Sequence, residues 1–255
     1  MFAEIPEQES NFKRTQFLKI IPNVTLRLRI LDKKAHMVFK HFIRNQRVSV
    51  VCLNEECTVC MNNQKLIREN VGVPTSQIKG YIPRSARYLV NVYNRTPVKQ
   101  TVDGEVVYPD VHGKFPASLA SIETKPLNRV EILERGSTLF QQFNVINSQV
   151  TDKDEKPVGL WNYDIVLTAS GQGRNMTITA LPMPDKNDEL DIPEEDIYVL
   201  STIPLEFTAD ELLKILSGVS YQDILTSRRS DDTEVSIDPD VASVLESSLE
   251  NLFAD

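Results

Sequence analysis

From Val24 the chain alternates, with Val24, Leu26, Leu28 and Ile30 apolar and Thr25, Arg27 and Arg29 polar between them. Period two with branched side chains predicts a half-buried strand, with Arg27 and Arg29 on its wet face. Residues 36–43 (HMVFKHFI) and 47–53 (RVSVVCL) predict two more strands joined by a tight turn at Asn45–Gln46. Met61, Leu66 and Ile67 then fall loosely at helical spacing, so a short helix is expected after Cys60. A strand follows at Tyr88–Tyr93, and Val102-Asp103-Gly104-Glu105 is a hairpin signal within a looser stretch, 96–128. Next come a strand at 130–134, Gly136 as breaker, and a helix from Ser137 with Leu139, Phe140, Phe143 and Ile146 on one face. YDIVLTA and NMTITAL flank a glycine-bearing turn and read as an alternating hairpin. Thr208-Ala209-Asp210-Glu211 is a capping box opening a helix to about Ser217, with a second short turn or helix over 220–226. Many short strands and few helices predict a mainly β fold, a small Greek-key barrel or a sandwich.

Composition changes this picture little. A chain of 255 residues, 41% hydrophobic and 25% charged, can bury a full core. No apolar run reaches the roughly 18 residues of a membrane helix. The start, MFAEIPEQES, lacks the basic-then-apolar pattern of a secretory signal, so a reducing, intracellular setting is expected.

Charge changes it more. The net charge of -8 divides unevenly: residues 1–182 hold 24 Lys+Arg and 17 Asp+Glu, whereas residues 183–255 hold 4 and 19. A basic body with an acidic tail points to a polyanionic ligand, or alternatively to a solvating tail on an unrelated domain. Pro182, Pro184 and the acidic run through Asp196 mark the boundary. The expected divisions are a polar arm (1–19), a core (20–183), an acidic linker with short helices (184–227), and a disordered tail from 228 whose tip orders on a partner.

All three cysteines, Cys52, Cys57 and Cys60, follow one another as C-x4-C-x2-C, with His41 one strand-length upstream. Three sulfurs and one imidazole make a closed tetrahedral set suited to structural zinc. A Cys57–Cys60 disulfide or three ordinary cysteines are the rival readings, disfavoured by the spacing and by a reducing compartment. His41 is preferred over His36 because it lies nearer the turn that leads to the cysteines; five positions apart on one strand, the two face opposite ways. His112 reads as a surface residue. Enzyme signatures are missing: neither strand histidine is followed by Glu two residues on, and Gly171-Gln172-Gly173 sits between strands rather than before a helix. A non-enzymatic protein is expected.

Cations and aromatics interleave over 80–95, where Tyr81, Arg84, Arg87, Tyr88, Tyr93 and Arg95 supply both groups that a single strand of nucleic acid needs. Arg27, Arg29, Lys33, Lys34, Lys40, Arg44 and Arg47 are candidates for the same groove. The opposing reading makes the tyrosines core and the cations a solvated face. Trp161 and Phe115 read as core or loop packing.

In order, H-F-I…V-S-V-V-C…C-T-V-C, Y-I-P-R-S-A-R-Y-L-V-N-V, V-E-I-L-E-R-G-S-T-L-F and Y-D-I-V-L-T-A-S-G-Q-G-R-N-M-T-I-T resemble the zinc-containing single-stranded DNA-binding proteins of T4-like tailed phages. The resemblance covers about residues 20–183. It implies an OB-fold core with a zinc subdomain (36–70) held by His41, Cys52, Cys57 and Cys60, and a basic–aromatic groove for ssDNA. It also implies recruitment of replication and recombination proteins by the acidic C-terminus, in the cytoplasm of an infected bacterial host. Family members often use a short basic N-terminal motif for cooperative self-association along DNA; here the arm carries Glu4, Glu7 and Glu9, with Lys13–Arg14 as its cations. Without the resemblance, the same residues fit a zinc-ribbon interaction protein of phage transcription or assembly.

Overall fold

The structure is a computed structural model that describes residues 15–171, 175–204 and 206–231. Lys13 and Arg14 of the N-terminal arm, the glycine turn around Gln172 and the tail from 232 lie outside the described residues. The chain divides into two compact units: Met1–His41 with Pro83–Glu206, and Phe42–Ile82 with the residues from Phe207 on.

The first unit is mainly β. Its strands are β1 (Thr25–Ile30), β2 (His36–Ile43, whose last two residues enter the second unit), β4 (Arg84–Asn94), β8 (Arg129–Arg135), β9 (Asp164–Ser170) and β10 (Thr177–Met183). The sheet runs β10-β9-β1-β4-β2, with β8 also on β4. The eleven residues of β4 explain the branch: β8 takes one edge over 88–94, while β1 (at 92–94) and β2 (at 84–89) share the other. Leu26, Leu28, Ile30, Val90, Val92, Leu133, Ile165 and Leu167 form the core face. Helix α2 (Ser137–Gln149) begins after Gly136 and buries Leu139, Phe143 and Ile146 against them, as its spacing predicts. A separate small sheet, β6-β5-β7, joins β5 (Pro97–Gln100), β6 (Val106–Val107) and β7 (Thr124–Pro126). The turn at Gly104 (φ 81°) forms where it was expected.

The expected closed barrel does not form among the described residues. Both outer edges are already engaged. On β8, Leu18 N–H donates to the Ile132 carbonyl at 2.9 Å and Ile132 N–H donates to that of Gln16 at 2.8 Å. On β10, the Gln142 amide of α2 donates to the Ile178 carbonyl (3.0 Å) and accepts from Ala180 N–H (3.1 Å). At Ile132, Ile178 and Ala180 the edge groups are thus taken and are not offered to another strand.

The second unit contains β3 (Val48–Val51), α1 (Thr58–Glu69), α3 (Ala209–Leu216) and α4 (Tyr221–Asp231). Ile43, Val50, Phe207, Leu212, Ile215 and Ile224 are its core. The capping box is present: Glu211 N–H donates to Thr208 Oγ1 (3.3 Å), and Thr208 N–H donates to Glu211 Oε2 (2.7 Å). Two expectations are corrected here. Helix α1 starts before Cys60, burying Thr58, Val59 and Asn63 and leaving Met61 and Ile67 exposed. Asn63 is buried because its amide clamps the backbone of Ile82 at 2.6 and 3.0 Å. Order also continues past 227: α4 reaches Asp231, and Arg228 Nε donates to Glu211 Oε1 at 2.7 Å.

Candidate metal centre and candidate nucleic-acid interface

The local chain explains how the cysteines converge. Strand β3 delivers Cys52, the turn through Asn54 (φ 57°, a left-handed angle that asparagine tolerates) reverses the path, and Cys57 caps α1 with Cys60 in its first turn. His41 comes in on β2 opposite Arg84, wholly buried. His36 pairs with Leu89 and faces the other side of the strand.

One ligand atom from each of His41, Cys52, Cys57 and Cys60 lies within 4.8 Å of all the others. Cys52 Sγ and Cys60 Sγ are 3.6 Å apart, too far for a disulfide at about 2.05 Å. The separation is close to the roughly 3.8 Å edge of a tetrahedron with 2.3 Å metal–sulfur bonds. The group could hold a metal ion, and its three sulfurs and one imidazole are compatible with zinc.

The protons of the cluster tell the same story. Burial pushes the Cys60 thiol up to about 12, helped by hydrogen bonding to Cys52 and by the charges of Cys57 and Cys52. Burial opposes charge on Cys57 too, but backbone N–H groups of Cys60 and Leu53 and the neighbouring thiols outweigh it and lower its value. A thiolate at Cys57 is favoured, therefore, and one at Cys60 is resisted. A divalent cation removes that conflict by deprotonating all three.

The cations and tyrosines of 80–95 do not form one surface. Neighbouring residues of a strand face opposite ways. Thus Tyr88 lies on the core side, its ring 5.2 Å from that of Phe140, while Arg87 and Tyr93 lie part-exposed on the other face. Arg84 is exposed and stacks over Phe39 at 4.1 Å. Lys40 is paired with Glu134 at 2.8 Å. Lys33 and Lys34 are exposed on the β1–β2 turn; Arg44, Arg47 and the part-buried Tyr81 belong to the second unit.

Arg27, Arg29 and Arg95 are in a different position from the wet face expected of the first two. All three converge on Asp164, which is wholly buried, at 2.5, 2.7 and 3.2 Å. The Arg29 side chain is 3% exposed, and it also donates to the carbonyls of Lys186 and Asp188. Arg95 forks onto the Asp188 carboxylate at 2.7 and 2.9 Å. That pairing holds the Asp188 carboxyl down at about 2, against burial, and raises Arg95. The alternation of β1 was read correctly, but not what covers its polar face. Asp164, an acid at the head of the strand YDIVLTA within a basic body, was the available signal.

Two further residues escaped the sequence reading. Trp161 is 37% exposed, and Lys33 Nζ lies 5.7 Å from its ring centroid. Asn91, buried on β4, donates from its backbone N–H to Asp32 at 2.5 Å and exchanges amide bonds with the Tyr198 backbone at 3.0 Å. Among the described residues no helix is long and apolar enough to cross a membrane. No protein-family model matches the chain, and no curated protein matches it.

Proposed function

We propose that the protein is a non-enzymatic single-stranded DNA-binding protein, with an opened OB-fold-like core and a structural zinc at His41, Cys52, Cys57 and Cys60. The observation that carries this reading is the pairing of that closed four-donor cluster with part-exposed Arg87 and Tyr93 along β4 and exposed Lys33, Lys34 and Arg84 in the same unit. A closed donor set leaves no open position for catalysis and acts on folding instead. The cations and aromatic faces match what single strands require. The non-sequential strand order supports an OB-like Greek key, which is partly open in its ordinary form. The resemblance to T4-like phage proteins adds the setting: coating ssDNA in replication, recombination and repair in the host cytoplasm, with the acidic C-terminus recruiting other proteins.

The test is a fluorescence-anisotropy titration of labelled oligo-dT, with duplex competitor, over a range of salt. Saturable binding that falls with a log–log slope of about -0.7 per contacted phosphate is expected. No binding, or a Kd indifferent to salt, overturns the reading. The second reading, a zinc-ribbon protein-interaction factor, is favoured by exposed Met61, Ile67 and Val71 on the second unit, and it predicts bound zinc without oligonucleotide affinity.

A further inference from the structure

We infer that Trp161 is the platform of a nucleobase-stacking subsite in the first unit. This rests on the ssDNA reading above and places a base where the sequence indicated only packing.

The ring is held in place rather than left loose. Leu160–Asn162 form a single helical turn, closed by Asn162 N–H donating to the Gly159 carbonyl at 3.1 Å. Leu160 packs on the main core on one side of the tryptophan, and Tyr163 is buried on the other. Gly159 has φ 86°, and a Cβ there would come within 2.5 to 2.7 Å of the indole, so the ring lies directly against its backbone. A tryptophan so anchored and still 37% exposed presents a flat aromatic face at little entropic cost.

That ring lines a cavity of about 510 Å³, together with Leu31, Ile197, Asn162, Asn187 and Arg29. The size falls within the range of small-ligand pockets. Its chemistry suits a base: apolar walls from Leu31 and Ile197, the exposed side-chain amide of Asn187, and the side-chain oxygen of Asn162, whose amide nitrogen donates to the Val158 carbonyl. The same cavity is lined by Asp188, whose charge is already met by Arg95 and Arg29, and by Glu189, which disfavours a phosphate there and leaves the space to the uncharged base. The phosphate is left to Lys33, already within cation–π distance of the indole, and to exposed Lys34 beside it. A base and its phosphate are thereby separated onto neighbouring groups of matching chemistry.

Trp161 is the chain's one tryptophan, so its emission reports this site alone. Full-length protein is titrated with oligo-dT and with an abasic oligonucleotide of equal length, following anisotropy and tryptophan emission together. Emission should be quenched in step with oligo-dT binding and stay unchanged with the abasic chain. Trp161→Ala should weaken oligo-dT binding about five- to a hundredfold, with Trp161→Phe recovering most of it. Lys33→Ala should flatten the salt slope by about 0.7. If anisotropy reports binding while emission does not move, or if Trp161→Ala binds as the parent does, the subsite is wrong and the ssDNA reading stands. If no oligonucleotide binds at any salt, both fall. Should Trp161→Ala fail to fold, the abasic comparison and Trp161→Phe decide.

Discussion

The cluster of His41 and the three cysteines and the cluster of Arg27, Arg29 and Arg95 answer one problem, buried polarity, in opposite ways. In the second, the protein supplies its own counter-charges: Asp164 at the centre and Asp188 at the rim. In the first, four donors of electron pairs face one another, and the Cys60 thiol resists taking a negative charge beside Cys57. The arginine cluster is complete within the chain, whereas the cysteine cluster is a donor set that could hold a cation from outside it. One stabilises at any metal concentration; the other, with the zinc proposed above, would make folding around it depend on metal.

Three experiments press on that contrast. The largest effect is expected from Cys57→Ser or a strong chelator, because structural zinc contributes about 10–16 kcal/mol of apparent binding energy in small zinc domains. Elemental analysis should find the one metal ion lost, and hydrogen exchange should show α1 and α3 losing protection while β1, β4 and β8 keep theirs. Equal loss in both regions would end the contrast. Next is Asp164→Asn, which leaves three guanidiniums around an uncharged group and should cost about 3–5 kcal/mol, read as a lower urea midpoint with metal still bound. Smallest is Asp188→Asn. Its carboxylate is 52% exposed, so the loss should be on the order of 0–1 kcal/mol. Since folding lowers this carboxyl from 3.8 to about 2, its contribution is present above about pH 4 and lost as pH falls toward 2. The difference between variant and parent should therefore vanish in acid; one that persists at pH 2 points to packing instead.

What could be read from sequence follows the same division. The cysteine cluster is readable because its sulfurs lie within nine consecutive residues, so the geometry is nearly local. The capping box of α3 is readable for the same reason: Thr208 and Glu211 are three residues apart. The arginine cluster is not, because Arg29 and Asp164 are 135 residues apart. Alternation states which side of a strand a residue takes and is silent about what lies over that side. Barrel closure failed for a similar reason, since a side chain on α2 and the residues before β1 take the edges a barrel would have joined. Helix α1 was misplaced because a buried Asn63 and Thr58 occupy the inner face that Met61 and Ile67 were expected to fill.

The Gln142 clasp on β10 bears on how such molecules behave in company. An exposed strand edge is a template on which a second chain can add a strand, and the hazard grows with concentration. Gln142 imitates one residue of a neighbouring strand, offering a single donor and a single acceptor, then continues no further. The sheet ends there on a side chain that cannot propagate it. Molecules crowded at close range thus meet a finished border along this part of the sheet, and that border is set by one amide rather than by an additional strand.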